Sequence, residues 1–446
     1  MPLKLPHARL SSALRWMPVL FIITALAPLQ GCRDDDDHGD NPLPTDTTST
    51  SHGKRIVLHY MAAQNSLGAP DSDGWSYAHD DLNEMLEGSR YLAEGDTLAV
   101  LVDDDDLPRI YAFYRNCTAP LTLYTFSSDI NTADPASLKT FLTWAAARFG
   151  SEIYGLGVGT HANGWVPSSN TQYYAPSKFS IGIDTGPGGN LYSDRDANGN
   201  LGAQMNVTDF AQAIEESGIS LHYLFFDCCL MQNVETTYAL RHTADYIVAS
   251  PMSINVYGAN YTHLMQNGLF SDHIEDIAAT YFADVTDPAQ QSKYQDYGLV
   301  ISVVNTAELE ALAACAKQVV VPHFSSTRSY NLDSTLHYYY YDRYYYYTIP
   351  HYFDALSGLE PILTADEMEL WRRQLNQTVA YRHMSPRILL GPYLSDFVSV
   401  DSAYCAGLSM FLPQTSYALH GSRYNFNEQF RQTEWYQAAG WADTGW

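Results

Sequence analysis

The sequence predicts an α/β fold, a mainly parallel sheet flanked by helices, with a mixed C-terminal region after it. Two observations predict this. Short apolar runs of strand length alternate with stretches whose apolar residues recur at helical spacing, the order of a parallel sheet covered on both faces. Two of those runs also end abruptly in polar, reactive residues, His161 after one and Cys228-Cys229 after the other. That edge of an open α/β sheet is where ligands bind.

Arg55–Ala63 is the first buried strand, closed by Gln64-Asn65-Ser66-Leu67-Gly68. Gly74–Gly88 contains a helix, with Leu82, Met85 and Leu86 on its core side and Asp80, Asp81 and Glu84 opposite. Thr97–Val102 is a second strand ending in four acids, Asp103 to Asp106. Ile110–Phe113 and Leu121–Phe126 read as a hairpin, and Pro135–Arg148 as an amphipathic helix. Ile153–Thr160 is another buried strand, and His161-Ala162-Asn163-Gly164-Trp165 leaves its end. Val207–Ser217 is a helix for which Thr208 is a candidate N-cap. Tyr223–Phe226 is a strand that meets Asp227 and the two thiols at once; helical spacing then begins at Leu230 and runs through Val234 and Tyr238. Tyr246–Ala249 is the next strand. Beyond Thr262 the pattern thins to helical periodicities at Ala307–Val320 and Ala365–Tyr381. Tyrosines crowd Tyr338–Tyr341 and Tyr344–Tyr347, as a packing surface or as a platform for peptides or sugars.

A chain of 446 residues with formal charge -26 has material for two or three domains and lacks the basic face that nucleic-acid binding requires. Its first residues form a targeting segment. Lys4, Arg9 and Arg15 precede an apolar run, Trp16–Leu29, too short to span a bilayer comfortably. Leu29-Gln30-Gly31-Cys32 resembles a lipobox with Cys32 as the lipidated residue, and the acids Asp34 to Asp37 behind it resemble the surface-export signal of Bacteroidetes lipoproteins. An outer-membrane lipoprotein exposed at the cell surface is the expectation. Residues 1–31 are then a signal peptide and 32–53 a polar tether unable to bury enough to fold. The folded chain divides into 54–262, carrying the reactive residues, and 263–446, packing on and completing it.

A histidine and a thiol at the ends of two buried strands suit a Cys/His hydrolase. Its base must generate the thiolate, and backbone N–H groups must hold the oxyanion. The residues alone leave open which of Cys228 and Cys229 reacts, and both a strand-end histidine and a buried cysteine also serve plain structural roles. Asp194-Arg195-Asp196-Ala197-Asn198-Gly199 reads as the first half of a calcium loop, with Asp194, Asp196 and Asn198 as ligands, or as a polar turn; the closing glutamate is replaced by Met205. Cys117, Cys315 and Cys405 are scattered, as structural thiols or as a pair.

Asp227-Cys228-Cys229-Leu230-Met231 with Val234-Glu235 beyond it, preceded by His161-Ala162-Asn163-Gly164-Trp165, resembles the clostripain family of cysteine peptidases, of the caspase, gingipain and legumain clan. Val57–Leu67, Ala244–Ser250 and Gly407–Pro413 resemble further stretches of that family, so the likeness runs from about Arg55 to the C-terminus. It implies a caspase-like sheet and a cysteine endopeptidase that needs no cofactor, though calcium dependence occurs in the family. It implies His161 as acid–base, Cys229 as nucleophile with Cys228 at the family's alanine position, and the N–H groups of Ala162 and Cys229 as oxyanion donors. Asp227 matches the acid implicated in a pocket for a basic P1 side chain; fixing the turn is its other reading. Self-cleavage between the two motifs is implied too, with Lys178 the nearest basic residue and Arg195 the second. Ala162 and Asn163 stand where the family has glycines, and Pro251–Tyr261 lacks the family's acids. The alternative is a surface lipoprotein of the same fold that binds peptides or glycans without cutting them. Protein or peptide substrates are the expected partners.

Overall fold

The first ten strands are β1 (Ile56–Ala62), β2 (Thr97–Asp103), β3 (Arg109–Tyr114), β4 (Leu121–Thr125), β5 (Ile153–Gly159), β6 (Ile181–Asp184), β7 (Ala203–Met205), β8 (Leu221–Asp227), β9 (Ala244–Ala249) and β10 (Val300–Asn305). The first six helices are α1 (Tyr77–Gly88), α2 (Pro135–Phe149), α3 (Val207–Ser217), α4 (Val234–Ala239), α5 (Tyr261–Asn267) and α6 (Glu275–Thr286). This computed structural model describes residues 55–150, 153–166, 181–332, 334–338, 351–390, 397–415 and 425–446. Cys32, the leader and tether, Lys178 and tyrosines 339–347 lie outside the described residues.

A nine-stranded sheet has the order Val379–Met384, β10, β9, β8, β5, β1, β2, β3, β4. Its centre, β2-β1-β5-β8-β9, is parallel throughout. Antiparallel strands close both edges, β3 and β4 on one side, β10 and Val379–Met384 on the other. The sheet crosses residue 262, since two of its strands come from beyond it. β6 and β7 pair separately.

The apolar runs follow from burial on both faces. In β1, Ile56, Leu58, Tyr60 and Ala62 join a core with Phe141 of α2 and Phe210 of α3. Val57, Met61 and Ala63 point the other way, to Met85 of α1, Leu264 of α5 and Ile277 of α6. The period of two thus distributes one strand between two layers.

Three expectations are corrected. The helix after the thiols begins at Val234, capped by Asn233, whose side chain accepts from Thr236 N. Cys228 to Gln232 is irregular because Leu230 N and Gln232 N donate to Met252 O and Ser250 O, both at 3.0 Å, tying this stretch to the end of β9. The cap position of α3 belongs to Asn206, not Thr208, and Asn206 directs its amide to Asp209 Oδ2 at 2.9 Å. The helix from Ala365 stops at Thr378; Tyr381 lies in the edge strand paired with β10. Among the described residues no helix is long and apolar enough to cross a membrane.

Residues beyond 400 reach back to the thiol segment. Ser409 N donates to Gln232 O at 3.0 Å, and Phe411 N to Glu235 Oε1 at 2.9 Å. Glu235 is buried, its Oε2 has no partner among the described residues, and burial pushes its pKa up to about 8. A carboxyl protonated in the fold and ionised when unfolded gives stability that is full below about pH 4.5 and is lost as pH rises toward 8. Each unit of difference is worth about 1.4 kcal/mol. Glu235→Gln is therefore expected to flatten the fall in melting temperature between pH 5 and 8; thermal melts across that range with unchanged slope would contradict it.

Candidate active site

The register of β5 and β8 builds the site. They are parallel neighbours, about 4.8 Å apart as adjacent strands are, with Gly159 opposite Asp227. His161 and Cys229 each lie two residues beyond that pair, so the chain carries both past the same sheet edge. They line one cavity of about 450 Å3 with Thr160, Ala162, Asn163 and Ser253. β1, the other neighbour of β5, delivers Ser66 to the same place, and Ser66 Oγ lies 2.9 Å from His161 Nε2.

Burial lowers the His161 pKa and the nearby Asp194 charge opposes it. Burial pushes the Cys229 thiol up, partly offset by Ile254 N, which donates to its sulfur at 3.4 Å, and by the Ser253 side chain. Both effects favour a neutral thiol beside a neutral imidazole. Such a thiol needs a base at the moment of reaction, unlike one held as a standing thiolate. Cys228 turns inward, its thiol donating to Val158 O at 3.3 Å, and its pKa is raised well above the ordinary value by burial. All five described cysteines, including Cys117, Cys315 and Cys405, are free thiols, so Cys228 and Cys229 form no disulfide.

The departures from glycine after His161 have a local explanation. Neither Ala162 nor Asn163 has a positive φ, whereas Gly164 does, at 74°. A Cβ on Gly164 would sit 2.6 Å from Asn233 Nδ2 and 2.8 Å from Leu230 O. Glycine is kept where backbone and neighbours demand it. The turn is held on both sides, by Gly182 N donating to His161 O at 2.8 Å and by Tyr352 OH donating to Asn163 O at 2.5 Å.

Asp227 borders the cavity, yet both its oxygens are engaged. Tyr281 OH donates to Oδ1 at 2.9 Å, and Ala259 N and Tyr261 OH donate to Oδ2 at 3.0 and 3.2 Å. Gly258 packs on it with φ 60°, where a Cβ would come 2.5 Å from Oδ2. The carboxylate thereby fastens the Ser253–Gly258 wall.

The calcium-like loop does not gather its donors. Asp194 Oδ1 accepts Ser66 N at 2.7 Å. Asp196 Oδ1 accepts Asn198 N and Asn200 N at 2.9 and 2.8 Å, closing the turn on itself. Met205, at the twelfth position, is buried in β7. These residues do not fit the ion.

The sequence reading missed four contributors. Ser66 read as part of a closing turn; its neighbours give no sign of a histidine 95 positions away. Ile254 and Ser253 lie in an acid-free loop of no recognisable pattern. Asp81, placed on the outer side of α1, faces the cavity. With Asp194 and Asp227 it makes three acids on the wall, which holds no lysine or arginine among the described residues.

Comparison with known proteins agrees with this architecture. The sequence matches the model of the clostripain family, Peptidase_C11, over residues 59–446. A secreted C11 cysteine protease from Bacteroides thetaiotaomicron, in complex with an irreversible peptide inhibitor, shares 25% identity and a TM-score of 0.67, covering 87% of this chain and 99% of its own. An inactive zymogen C11 protease from Parabacteroides distasonis has the same fold at 23% identity and TM-score 0.66, with the same shares covered. Among curated proteins none matches the sequence. With its parallel core, its paired histidine and cysteine loops and a family match over most of its length, the chain belongs to the clostripain family and is a cysteine peptidase.

Proposed function

We propose that the protein hydrolyses peptide bonds through a Cys229/His161 dyad and prefers a basic residue at P1. The observation that carries this is the placement of both side chains on one cavity by the matched overhang of β5 and β8. His161 takes the Cys229 proton as the sulfur attacks the scissile carbonyl, and the N–H groups of Ala162 and Cys229 face the resulting oxyanion. Collapse expels the amine, which takes the proton from His161 and leaves a thioester on Cys229. Water, deprotonated by His161, then releases the acid. The neutral state that burial favours for His161 suits the first of these steps. The peptide inhibitor bound by the Bacteroides relative supports a peptide substrate.

Three wall acids, with no lysine or arginine on the wall among the described residues, support a cationic P1 group. They also support self-processing at Lys178. Arg195, the second basic candidate, sits between two β-bridges, to Asn190 and to Leu201, which already occupy the backbone N–H and C=O groups a protease would have to pair with. The lipobox-like Cys32 and the acids after it support display on the outer membrane.

The test is a panel of fluorogenic peptides varied only at P1. Arginine and lysine substrates are expected to be cleaved at least about 10-fold faster than neutral ones, as for a charge-assisted contact. Added calcium should leave the rates unchanged, and the Cys229→Ala protein should remain one intact chain on a gel. Cleavage confined to neutral or acidic P1 would overturn the P1 assignment. No cleavage by a folded protein would favour the binding-only lipoprotein.

A further inference from the structure

Deepening that reading and resting on it, we propose that Asp81 is the residue that selects the basic side chain, while Asp227 positions the cavity wall. The first ground is the face of α1 on which Asp81 lies. Ala78, Met85 and Gly88 form its buried row, and Asp81 falls on that row at the i+3 step from Ala78. The other acids of the helix are already engaged. Lys293 Nζ lies 3.3 Å from Asp80 Oδ2 and 2.6 Å from Glu84 Oε1, and Tyr261 N donates to Glu84 at 2.9 Å. Asp81 makes no side-chain hydrogen bond or ion pair among the described residues, and its carboxylate opens on the cavity.

The second ground is what surrounds it. Met61, Ala63, Leu67, Tyr77 and Ala78 give this part of the wall an apolar lining. An apolar sleeve ending in one unengaged carboxylate fits the aliphatic stem and cationic tip of arginine or lysine. The third ground is that Asp227, the alternative, has both oxygens committed to three donors and is 7% exposed. Three of the roughly four acceptor positions of that carboxylate are taken, which leaves a substrate cation one place at most, at Oδ1.

The same geometry has a cost that can be measured. Burial, and then the charge of Asp227, hold the Asp81 carboxyl well above its ordinary range. A desolvated acid without a partner opposes folding, and a bound cation removes that opposition. Replacing the acid by a neutral amide should then stabilise the free protein while spoiling its selectivity, the usual trade at a binding site.

The experiment compares wild type, Asp81→Asn and Asp227→Asn on peptides identical except for P1 arginine, lysine or leucine. Melting temperatures and iodoacetamide alkylation of Cys229 are measured in parallel. In Asp81→Asn the ratio of kcat/KM for arginine over leucine is expected to fall about 100-fold, the scale of a buried charged contact, with a higher melting temperature. In Asp227→Asn all three substrates should slow together. Asp81→Glu, which lengthens the acid, should raise the lysine-to-arginine ratio and serves if Asp81→Asn does not fold. An arginine-to-leucine ratio unmoved in Asp81→Asn, or a lysine-to-arginine ratio unmoved in Asp81→Glu, overturns the proposal and leaves the peptidase reading intact when Cys229 is still alkylated. A wild-type protein that neither cleaves the panel nor alkylates at Cys229 overturns the reading beneath it, and the proposal with it.

Discussion

Cys229→Ala is expected to lower kcat/KM for a P1-arginine peptide by at least about 10,000-fold, the scale of removing a covalent nucleophile. Cys228→Ala should stay within about threefold of wild type, as for a small buried side chain outside the chemistry. The contrast follows from where the two thiols point. Both residues border the cavity, but Cys229 has its sulfur near Ile254 N, whereas the Cys228 thiol is buried and donates to Val158 O. Its alanine variant loses one weak hydrogen bond and one small packed atom. Steady-state kinetics on both variants checks this, and loss of activity in Cys228→Ala alone would exchange the roles of the two thiols.

His161→Ala should cost about 1,000-fold, within the range of a lost general base. The Ser66 hydroxyl at its Nε2 predicts a finer effect. Ser66 touches no reacting atom; it holds the imidazole, and Asp194 holds Ser66 through its backbone N–H. Ser66→Ala is therefore expected to reduce kcat about 10-fold with KM unchanged, and Ser66→Thr to restore most of the loss. A rise in KM at constant kcat would assign Ser66 to substrate binding. Equal loss in the alanine and threonine variants would assign it to packing.

The strands of this protein were legible because most are buried on both faces and therefore read as nearly continuous apolar runs. β1, β2 and β8 are buried along almost their whole length, so little but a central strand fits them. The paired histidine and cysteine were legible because each follows such a run directly. What stayed hidden depends on partners distant in sequence. The irregular stretch from Cys228 to Gln232 follows from hydrogen bonds to Ser250 and Met252, which override the helical spacing of its side chains. Asp81 sits among Asp80 and Glu84 and reads as part of a solvated face; Lys293, distant in sequence, engages those two neighbours and, among the described residues, forms no ion pair with Asp81. Asp227 matched a pocket acid by position, and the three donors that engage it, from residues 259, 261 and 281, could not be read from its neighbours in sequence.

The central claim is that Cys229, assisted by His161, forms an acyl-enzyme in this cavity. The most direct measurement is to incubate the purified protein with an irreversible peptide inhibitor ending in lysine and locate the adduct by peptide mass mapping. The account predicts a single adduct on Cys229, formed far more slowly in His161→Ala and blocked by a competing P1-arginine peptide. An adduct on Cys228, or a folded protein that takes no adduct at all, would contradict it.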